Sequence, residues 1–548
     1  MLAQDTLSSS DTAWVLVCAA LVMFMTPGLA FFYAGMVRGR NLLTMMQQNF
    51  VALGVVSVTW LVLGYTIAFG DDGGAGLVGN FELFGLRMDD MAPARPLHTV
   101  TAGVAIPVLA FLAYQMMFAV ITPALITGAT ADRLKAAGWI TFLVLWSIIV
   151  YAPIAHWLWG PDGWLSDLGA QDWAGGIVVH ASAGAAVLAV LLVVGRRRNW
   201  PNAGGRANSL PLTLIGAGIL WFGWFGFNAG DGLAADGLAA QALLNTHMAA
   251  AAGMCVWLIV ERVKDGHASV LGGVSGAVAG LATVTPTAGY VNTFSALAIG
   301  ALAGLVCHMA LSLKSVLRFD DALDVVAVHF VGGVLGTLLL GLFANSSINS
   351  QSADGLFYGG GLDLLGYQAV ALIAVIAFSF VLTWLIAVGI EKTIGLRVKP
   401  ADEDRLDHVQ QGMDAYHTDH ASSLIGSGPT HNGHPQVRPL DGTPTGLRLI
   451  TQFLDMENVD PDHLRIALLE AGAQSIAVSD ARVYTGRPST RIVRGVRTEM
   501  DFPSRLRIDV LVPDSRVDDA MAALDRLAAG RHEGFVQDAY PTARQTPP

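Results

Sequence analysis

Along its first four hundred residues the chain alternates long apolar runs with short polar joints. A window of about 19 residues, close to the length a helix needs to cross a bilayer, marks eleven apolar segments. They lie near 12–36, 49–70, 99–128, 137–159, 173–195, 209–230, 238–262, 269–285, 291–314, 323–345 and 366–391. Eleven crossings place the two ends of the bundle's chain on opposite sides. Arg38, Arg40, Arg133, Lys135, Arg196, Arg197, Arg198, Arg206, Arg262, Lys264, Lys314, Arg318, Lys392, Arg397 and Lys399 all fall on one face, and only Arg87 and Arg95 on the other. Basic joints stay inside, so the amino terminus is predicted outside and the carboxyl terminus cytoplasmic. The first run passes directly into FFYAGMVRGRN without a small-residue cleavage site, so it reads as a true span and not a removed signal peptide. Glycine-rich runs such as LGGVSGAVAG predict close helix packing.

Two histidines interrupt this pattern, His180 in GGIVVHASAG and His329 in DVVAVHFVGG. Each lies a few residues inside an apolar segment, and each has an aspartate upstream, Asp172 and Asp324. Hydrocarbon offers an imidazole no hydrogen-bond partner, so such a ring faces either another helix as a polar contact or a conduit, where it can accept and donate a proton. A matched pair at similar offsets points to a conduit. Setting segments one to five against six to ten puts His180 at the end of the first half and His329 at the end of the second. An odd number of spans per half inverts the halves in the membrane and brings both histidines toward one pathway at the midplane.

Composition agrees. The 548 residues are 53% hydrophobic and 14% charged, with mean hydropathy +0.52, well below the charge of a soluble chain. Cys18, Cys255 and Cys307 are far apart within apolar runs and read as small core residues. The net charge of −11 leaves no basic face for nucleic acid. No nucleophile–base constellation or cofactor motif marks an enzyme.

Beyond residue 399 the character changes. Residues 400–446 are polar and read as a tail and solvated linker. His408, His417, His420, His431 and His434 show no regular metal-ligand spacing. Residues 447–548 then read as a compact domain. Strand-like LRLITQFLD, helical DPDHLRIALLEAG, strand-like SIAVSDARVY and RLRIDVLVPD, helical VDDAMAALDRLAAG and a last short strand give a βαββαβ, ferredoxin-like order. The predicted fold class is thus an all-α membrane domain over 1–399, with eleven helices in a 5+5 inverted repeat, and a carboxyl-terminal α+β domain.

The motifs MTPGLAFFYAGMVRGRN, ITGATADR, PIAHWLWG, DWAGGIVVH, WFGWFGFNAG, VTPTAGYV, DVVAVHFVGG and GLRV, in that order and spacing, resemble the ammonium transporters of the Amt/Mep/Rh family over roughly residues 10–416. The resemblance implies a homotrimer in the cell membrane, in contact with lipid, with one pore per subunit and no cofactor for transport. It implies that Trp159, with Tyr114 beside it, receives ammonium in an outer vestibule, cation–π attraction replacing part of its hydration. Phe118 and Phe227 would stack as a gate below, and His180 and His329 would relay the proton along a narrow lumen. Potassium and sodium are excluded because neither can be deprotonated. Asp172 matches an acidic position near the vestibule, with a structural or an electrostatic role. Where the family usually has FNAGS this chain reads FNAGD, which places Asp231 at the recruitment site. A carboxylate there binds a cation more tightly than a hydroxyl, unless Asp231 only caps a helix end.

The carboxyl-terminal domain resembles a P-II signal protein in LRLIT, in a shortened T-loop after Tyr484, in Arg494-Gly495 and in DFPSRLRIDVLVPD. The resemblance implies a regulator attached in cis, contacting the cytoplasmic face of the transporter, with Arg494 at the position of the T-loop arginine that enters the pore exit. A linker of about 47 residues, with ends roughly 35–40 Å apart on average, gives a high effective concentration. Thr498 stands where many members have the modified tyrosine, and GRHEGF abbreviates the phosphate-binding segment. Arg505, Arg507 and Arg531 are the candidates to hold an effector, with ATP, ADP or another ligand left open. The other functional class is an ammonium sensor that passes little substrate and signals through this domain. A channel for neutral gas is a third, favoured only if Trp159 and Asp231 bind no cation.

Overall fold

The computed structural model describes residues 7–85, 106–198, 200–201, 207–413, 415–416, 446–455, 461–482, 489–493, 496–500, 504–527 and 532–538. The chain divides into two compact units, one comprising Met1–His417, the other Thr418–Val493 with Arg497–Pro548.

In the first unit ten helices among the described residues are long and apolar enough to cross a membrane: α1 (Ser9–Met36), α2 (Gly39–Phe69), α3 (Val108–Ala129), α4 (Ala136–Leu168), α5 (Gly176–Val194), α6 (Leu210–Ala229), α7 (Gly237–Asp265), α9 (Thr293–Val316), α10 (Val326–Phe343) and α11 (Asp363–Thr393). The segment expected at 269–285 is also an apolar helix, α8 (Val270–Val284), but its 15 residues span only about 22 Å. Thr285–Tyr290 then turns away from the helix axis. Cys18 and Cys307 are buried as expected, whereas Cys255 is exposed on α7.

The starts of α5 and α10 are built alike. Both open with a π-helical turn, Gly176–Ala181 and Val326–Phe330, that carries the histidine. Asp172 accepts the backbone N–H groups of Gly175, Gly176, Ile177 and Val178 at 2.6–3.0 Å. The matching aspartate before α10 is Asp321, which accepts from Val326 N–H at 2.7 Å. This corrects the pairing of Asp172 with Asp324. Asp172 and Asp321 each stand eight residues before their histidine, while Asp324 is ion-paired to Lys314. An acceptor at a helix start satisfies orphan N–H groups and favours the dipole.

At the end of the bundle that carries the arginine-rich joints, Arg133 is fully buried. Its guanidinium donates to Gly195 O at 2.7 Å, to Asp320 O at 2.8 Å and to Ala129 O. Arg197 donates to Asp320 through Nε at 2.9 Å and Nη2 at 2.7 Å. Residues 400–416, expected as the start of the tail and linker, pack on this end. Asn41 donates to Asp132 and to Glu403 O, both at 2.6 Å. Asp407, on the short helix α12 (Leu406–Gln411), accepts from Leu43 and Thr44 N–H at 2.9 and 2.7 Å. It thereby caps the α-helical turn of α2 that starts at Leu42, a carboxylate at the positive end of a helix. The rest of the expected linker, 417–445, lies outside the described residues.

The second unit contains β1 (Leu447–Asp455), α13 (Pro461–Glu470), β2 (Ser475–Arg482), β3 (Ser489–Val493), β4 (Val496–Met500), β5 (Ser504–Pro513), α14 (Val517–Leu527) and β6 (His532–Asp538). The sheet order is β2-β5-β1-β6, every neighbouring pair antiparallel. Ile450 stands opposite Val510 and Val536, and Ile450, Ile508, Val510 and Val512 are buried with Leu464, Leu468, Ala520 and Leu524 of the helices. Alternation along the strands and the Ala520–Leu524 spacing on α14 account for this core. The segment expected as a shortened loop includes instead β3 and β4, paired as a two-stranded sheet.

Burial pushes the Asp320 carboxyl up, but the hydrogen bonds and charge of Arg197, with Arg133 beside it, hold it below its ordinary 3.8. A carboxyl that titrates lower folded than unfolded contributes stability that is complete above about pH 4 and is lost as pH falls through the folded value. Asp320→Asn is therefore expected to lower stability by about 3–5 kcal/mol. It is also expected to flatten the acid limb of the melting temperature in detergent; an acid limb as steep as that of the unsubstituted chain refutes the assignment.

Candidate functional site

At the end of the bundle opposite the arginines, α4 breaks at Gly160 just after Trp159. His156 holds this turn: its Nδ1 bonds Ala68 O at 3.0 Å and its Nε2 bonds Asp72 at 3.4 Å. Trp159 Nε1 donates to Asp172 O at 2.9 Å, so the indole is fixed to the residue that caps α5. Tyr114 and Phe118 come from α3. The buried Tyr114 hydroxyl donates to Gly226 O at 3.0 Å or Phe227 O at 2.8 Å, carbonyls in the last turn of α6. Phe118 stacks on Phe227 at 4.2 Å and 29° and meets Trp159 edge-on at 5.8 Å. The structure thus brings Trp159, Tyr114, Phe118 and Phe227 into one aromatic group.

Asp172 is committed to the four N–H donors of α5. Burial pushes its carboxyl up to about 6, with those donors acting in the opposite sense, so it is an anion at neutral pH. Asp231 lies two residues past the end of α6. A Cβ on Gly230 would fall 2.8 Å from the Tyr114 hydroxyl, and one on Gly232 3.3 Å from Trp173, so the backbone on either side of Asp231 passes close to both residues. The helix cap that was the alternative for Asp231 belongs to Asp236, which accepts from Leu238 and Ala239 N–H at 2.9 and 3.0 Å. Asp231 Oδ1 is buried without a hydrogen-bond partner. Burial and the Asp172 charge push its carboxyl well up, and the adjoining helix presents its negative end. Such a group is expensive without a proton or a cation.

Below the stacked rings lies an apolar cavity lined by Met25, Leu29, Phe32, Ile121, Leu125, Val179, Leu220, Trp224, Phe227 and Val278 together with His180 and His329. The two histidine Nδ1 atoms are 3.3 Å apart, so one donates and the other accepts a single shared proton. Trp224 stacks on His180 at 5.6 Å and donates to Thr285 Oγ1 at 2.9 Å; Phe227 flanks the same ring at 6.3 Å. His180 Nε2 is buried without a partner. Close approach of the two helices depends on glycine four residues beyond each histidine. A Cβ on Gly184 would lie 2.3 Å from Phe330 Cβ, and one on Gly333 2.7 Å from His180 Cβ. A second cavity also borders His329 and is lined by Phe32, Tyr33, Met36, Leu271, Ser275, Val278, Leu323, Asp324, Val325, Val328 and His329.

Three participants were not singled out from the sequence. Trp224 lies one helical turn before Phe227 in WFGWFGF; Asp321 is recovered by counting eight residues back from His329, as Asp172 stands to His180. Trp173, which donates to Asn228 O at 2.7 Å, carries no comparable sequence signal. The effector arginines are not brought together among the described residues. Arg507 is exposed and paired to Asp509 at 2.9 Å, Arg505 is placed by register opposite Asp455, and Arg494 and Arg531 lie outside the described residues. Among the described residues no cluster of three or more His, Cys, Asp or Glu is arranged to hold a metal ion.

Residues 13–416 match the model of the Ammonium Transporter Family. The chain belongs to the ammonium transporter family. It is similar to an ammonium transporter of Mycobacterium bovis, 46% identical over 430 residues that cover 74% of this chain and 90% of the relative. An ammonium transporter of Bacillus subtilis is 42% identical over 408 residues, 74% of this chain and 98% of the relative. Among solved structures, Mep2 of Candida albicans superposes with a TM-score of 0.67 at 33% identity over 72% of this chain and 88% of its own. A structure described as a sensor Amt protein gives 0.65 at 31% identity, over 72% and 96%. This ammonium transporter is accordingly a multi-pass membrane protein and not an enzyme, and transport in the family needs no cofactor.

Two carboxylates of the site are expected to respond in opposite directions to neutralisation. Asp172→Ala strands four N–H groups and should cost about 3 kcal/mol or more. Asp231→Asn should raise stability at neutral pH by about 1–3 kcal/mol. Because its carboxyl is raised, the Asp231 penalty is absent below the ordinary 3.8 and grows as pH rises. The gain in melting temperature of Asp231→Asn should therefore increase from pH 4 to 7; a loss at all pH values refutes this.

Proposed function

We propose that this transporter recruits ammonium at an outer vestibule formed by Trp159, Phe118, Tyr114 and Asp231, removes its proton, and conducts ammonia and proton by way of His180 and His329. The observation that carries the reading is the histidine pair itself, sharing one proton at the wall of an apolar cavity beneath a stacked aromatic pair. Ammonium loses water on arrival and gains the faces of Trp159 and Phe118, each ring contributing roughly 0.5–2 kcal/mol. Asp231 supplies the missing counter-charge, and the ammonium supplies the partner that Oδ1 lacks. Asp172 acts mainly by holding the start of α5 and, through it, His180.

The cation gives up its remaining hydration on passing the stacked phenylalanines and gives up its proton to an imidazole below them. The proton then travels between the imidazoles, Nδ1 to Nδ1, and ammonia along the apolar lining. Ions without a proton to give up are refused. Phe118 and Phe227 act as the gate because their rings must part for passage.

The reading extends to eleven spans in a 5+5 inverted arrangement, amino terminus outside and carboxyl terminus cytoplasmic, and to a homotrimer in the cell inner membrane in contact with lipid. The matched starts of α5 and α10 support the inversion. The strand order β2-β5-β1-β6 supports a ferredoxin-like, P-II-like second unit that regulates transport in cis in response to nitrogen status. Arg494 and a nucleotide or other effector are assigned to that unit from the resemblance alone.

Ammonium-evoked current in proteoliposomes tests the transport reading. His180→Ala should abolish at least nine-tenths of the current, and Asp231→Asn should raise the half-saturating ammonium about tenfold, the effect of losing one partly buried charge partner. A chain ending near residue 416 should carry more current than the full chain if the second unit restrains it. Bound ammonium with no current in either length would identify a sensor.

A further inference from the structure

The aspartate paired with Lys314 stands at the wall of the second cavity. Asp321 bonds Val326 N–H at the start of α10, whereas Asp324 lines the cavity beyond His329 together with Tyr33 and Ser275. It does so with a left-handed backbone, φ +65°, a conformation costly for a non-glycine residue and retained where the surroundings enforce it. Its side chain is about one-tenth exposed, and its Oδ1 accepts from Lys314 Nζ, which approaches from the end of α9.

Lys314 presents a compact primary ammonium, three N–H donors on a flexible four-carbon stem. A carboxylate at a cavity wall that accepts this group offers the same bonds to free ammonium. We propose that Asp324 is a second ammonium-binding subsite, at the arginine-side mouth of the conduit, and that Lys314 is its tethered competitor. The subsite takes ammonium or a small primary alkylammonium.

The inference rests on the transport reading for its role. Ammonia that has passed His329 regains a proton in this cavity, and the resulting cation meets Asp324. A bare carboxylate at that wall would retain it. Lys314 occupies the same oxygen at high effective concentration, because it is part of the same chain, and so keeps the subsite weak enough to release its ion, as conduction requires.

Giant proteoliposome patches with each face perfused separately test this on the full chain, using methylammonium as the probe. The readout is the ratio of half-saturating concentrations on the Lys314 side and on the Trp159 side. Lys314→Met should lower the Lys314-side value about tenfold, the scale of one partly buried ion pair, and so shift the ratio by that factor. Adding Asp324→Asn to Lys314→Met should remove the shift. A ratio equal in the full chain and in Lys314→Met, with current that still depends on His180, overturns the proposal. If no form carries current, the transport reading fails, and the subsite is read instead by equilibrium dialysis of radiolabelled methylammonium against detergent-solubilised Asp231→Asn protein. There, tightening by Lys314→Met that Asp324→Asn cancels supports the subsite, and equal binding by all forms overturns it.

Discussion

A hydrogen bond between two imidazoles inside an apolar lumen is the interaction around which the bundle is built. Hydrocarbon offers neither ring a hydrogen-bond partner, and the 3.3 Å separation between them demands that α5 and α10 begin at the right level and lie close together. Asp172 and Asp321 set the level by fixing the first turns. Gly184 and Gly333 set the closeness, since a methyl group at either position would collide with the facing helix. Trp224 and Phe227 then hold the His180 ring from its other face. The polar centre is thus positioned by backbone caps and by the absence of side chains.

The arginine-rich end obeys the same rule with charges instead of rings. Arg133 is buried and would be ruinous unpaired, but its two Nη groups donate to the carbonyls of Gly195, Asp320 and Ala129. Those carbonyls belong to the ends of α3 and α5 and to the approach to α10, so one guanidinium fixes both histidine-bearing helices at a distance from their histidines. Residues 400–416 complete this end rather than hang from it. Asp407 caps α2, and Glu403 bonds Arg397 at 2.5 Å. A truncation inside 400–416 would remove caps from the bundle, which is why a cut near 416 is the informative one.

Much of this was legible in the sequence because membrane burial writes strong patterns. The apolar segments correspond to helices, and the histidines stand out because an imidazole in such a run is rare. The aromatic group was legible only through the family motifs, since Tyr114, Phe118, Trp159 and Phe227 come from three helices and their contacts are set by tertiary packing. Asp321 was missed because similarity of the residues beside each histidine was followed instead of the distance from it. That choice selected Asp324, whose partner, Lys314, is on a different helix and invisible to local reading. The pairing of β3 with β4 was missed for a different reason: two five-residue strands are too short for alternation alone to mark them.

Asp231 and Asp324 pose the same electrostatic problem at opposite ends of the conduit, and the protein solves it in two ways. Asp231 sits just past the negative end of α6, with one oxygen buried and unpartnered, so relief arrives as a proton or a cation. Asp324 has its relief supplied by Lys314. A carboxylate left bare captures cations, and one already paired with an ammonium binds a second only by exchange. On the transport reading this asymmetry gives direction to affinity: tight where ammonium is scarce and must be gathered, loose where it must be let go. It also separates selectivity from capture. On the same reading selectivity comes from the histidine pair, which handles only what can surrender a proton, so the carboxylates at the mouths can vary in strength without admitting potassium. An aspartate in place of the hydroxyl usual at the recruitment site is therefore a change the conduit can tolerate, because the step that discriminates lies below it.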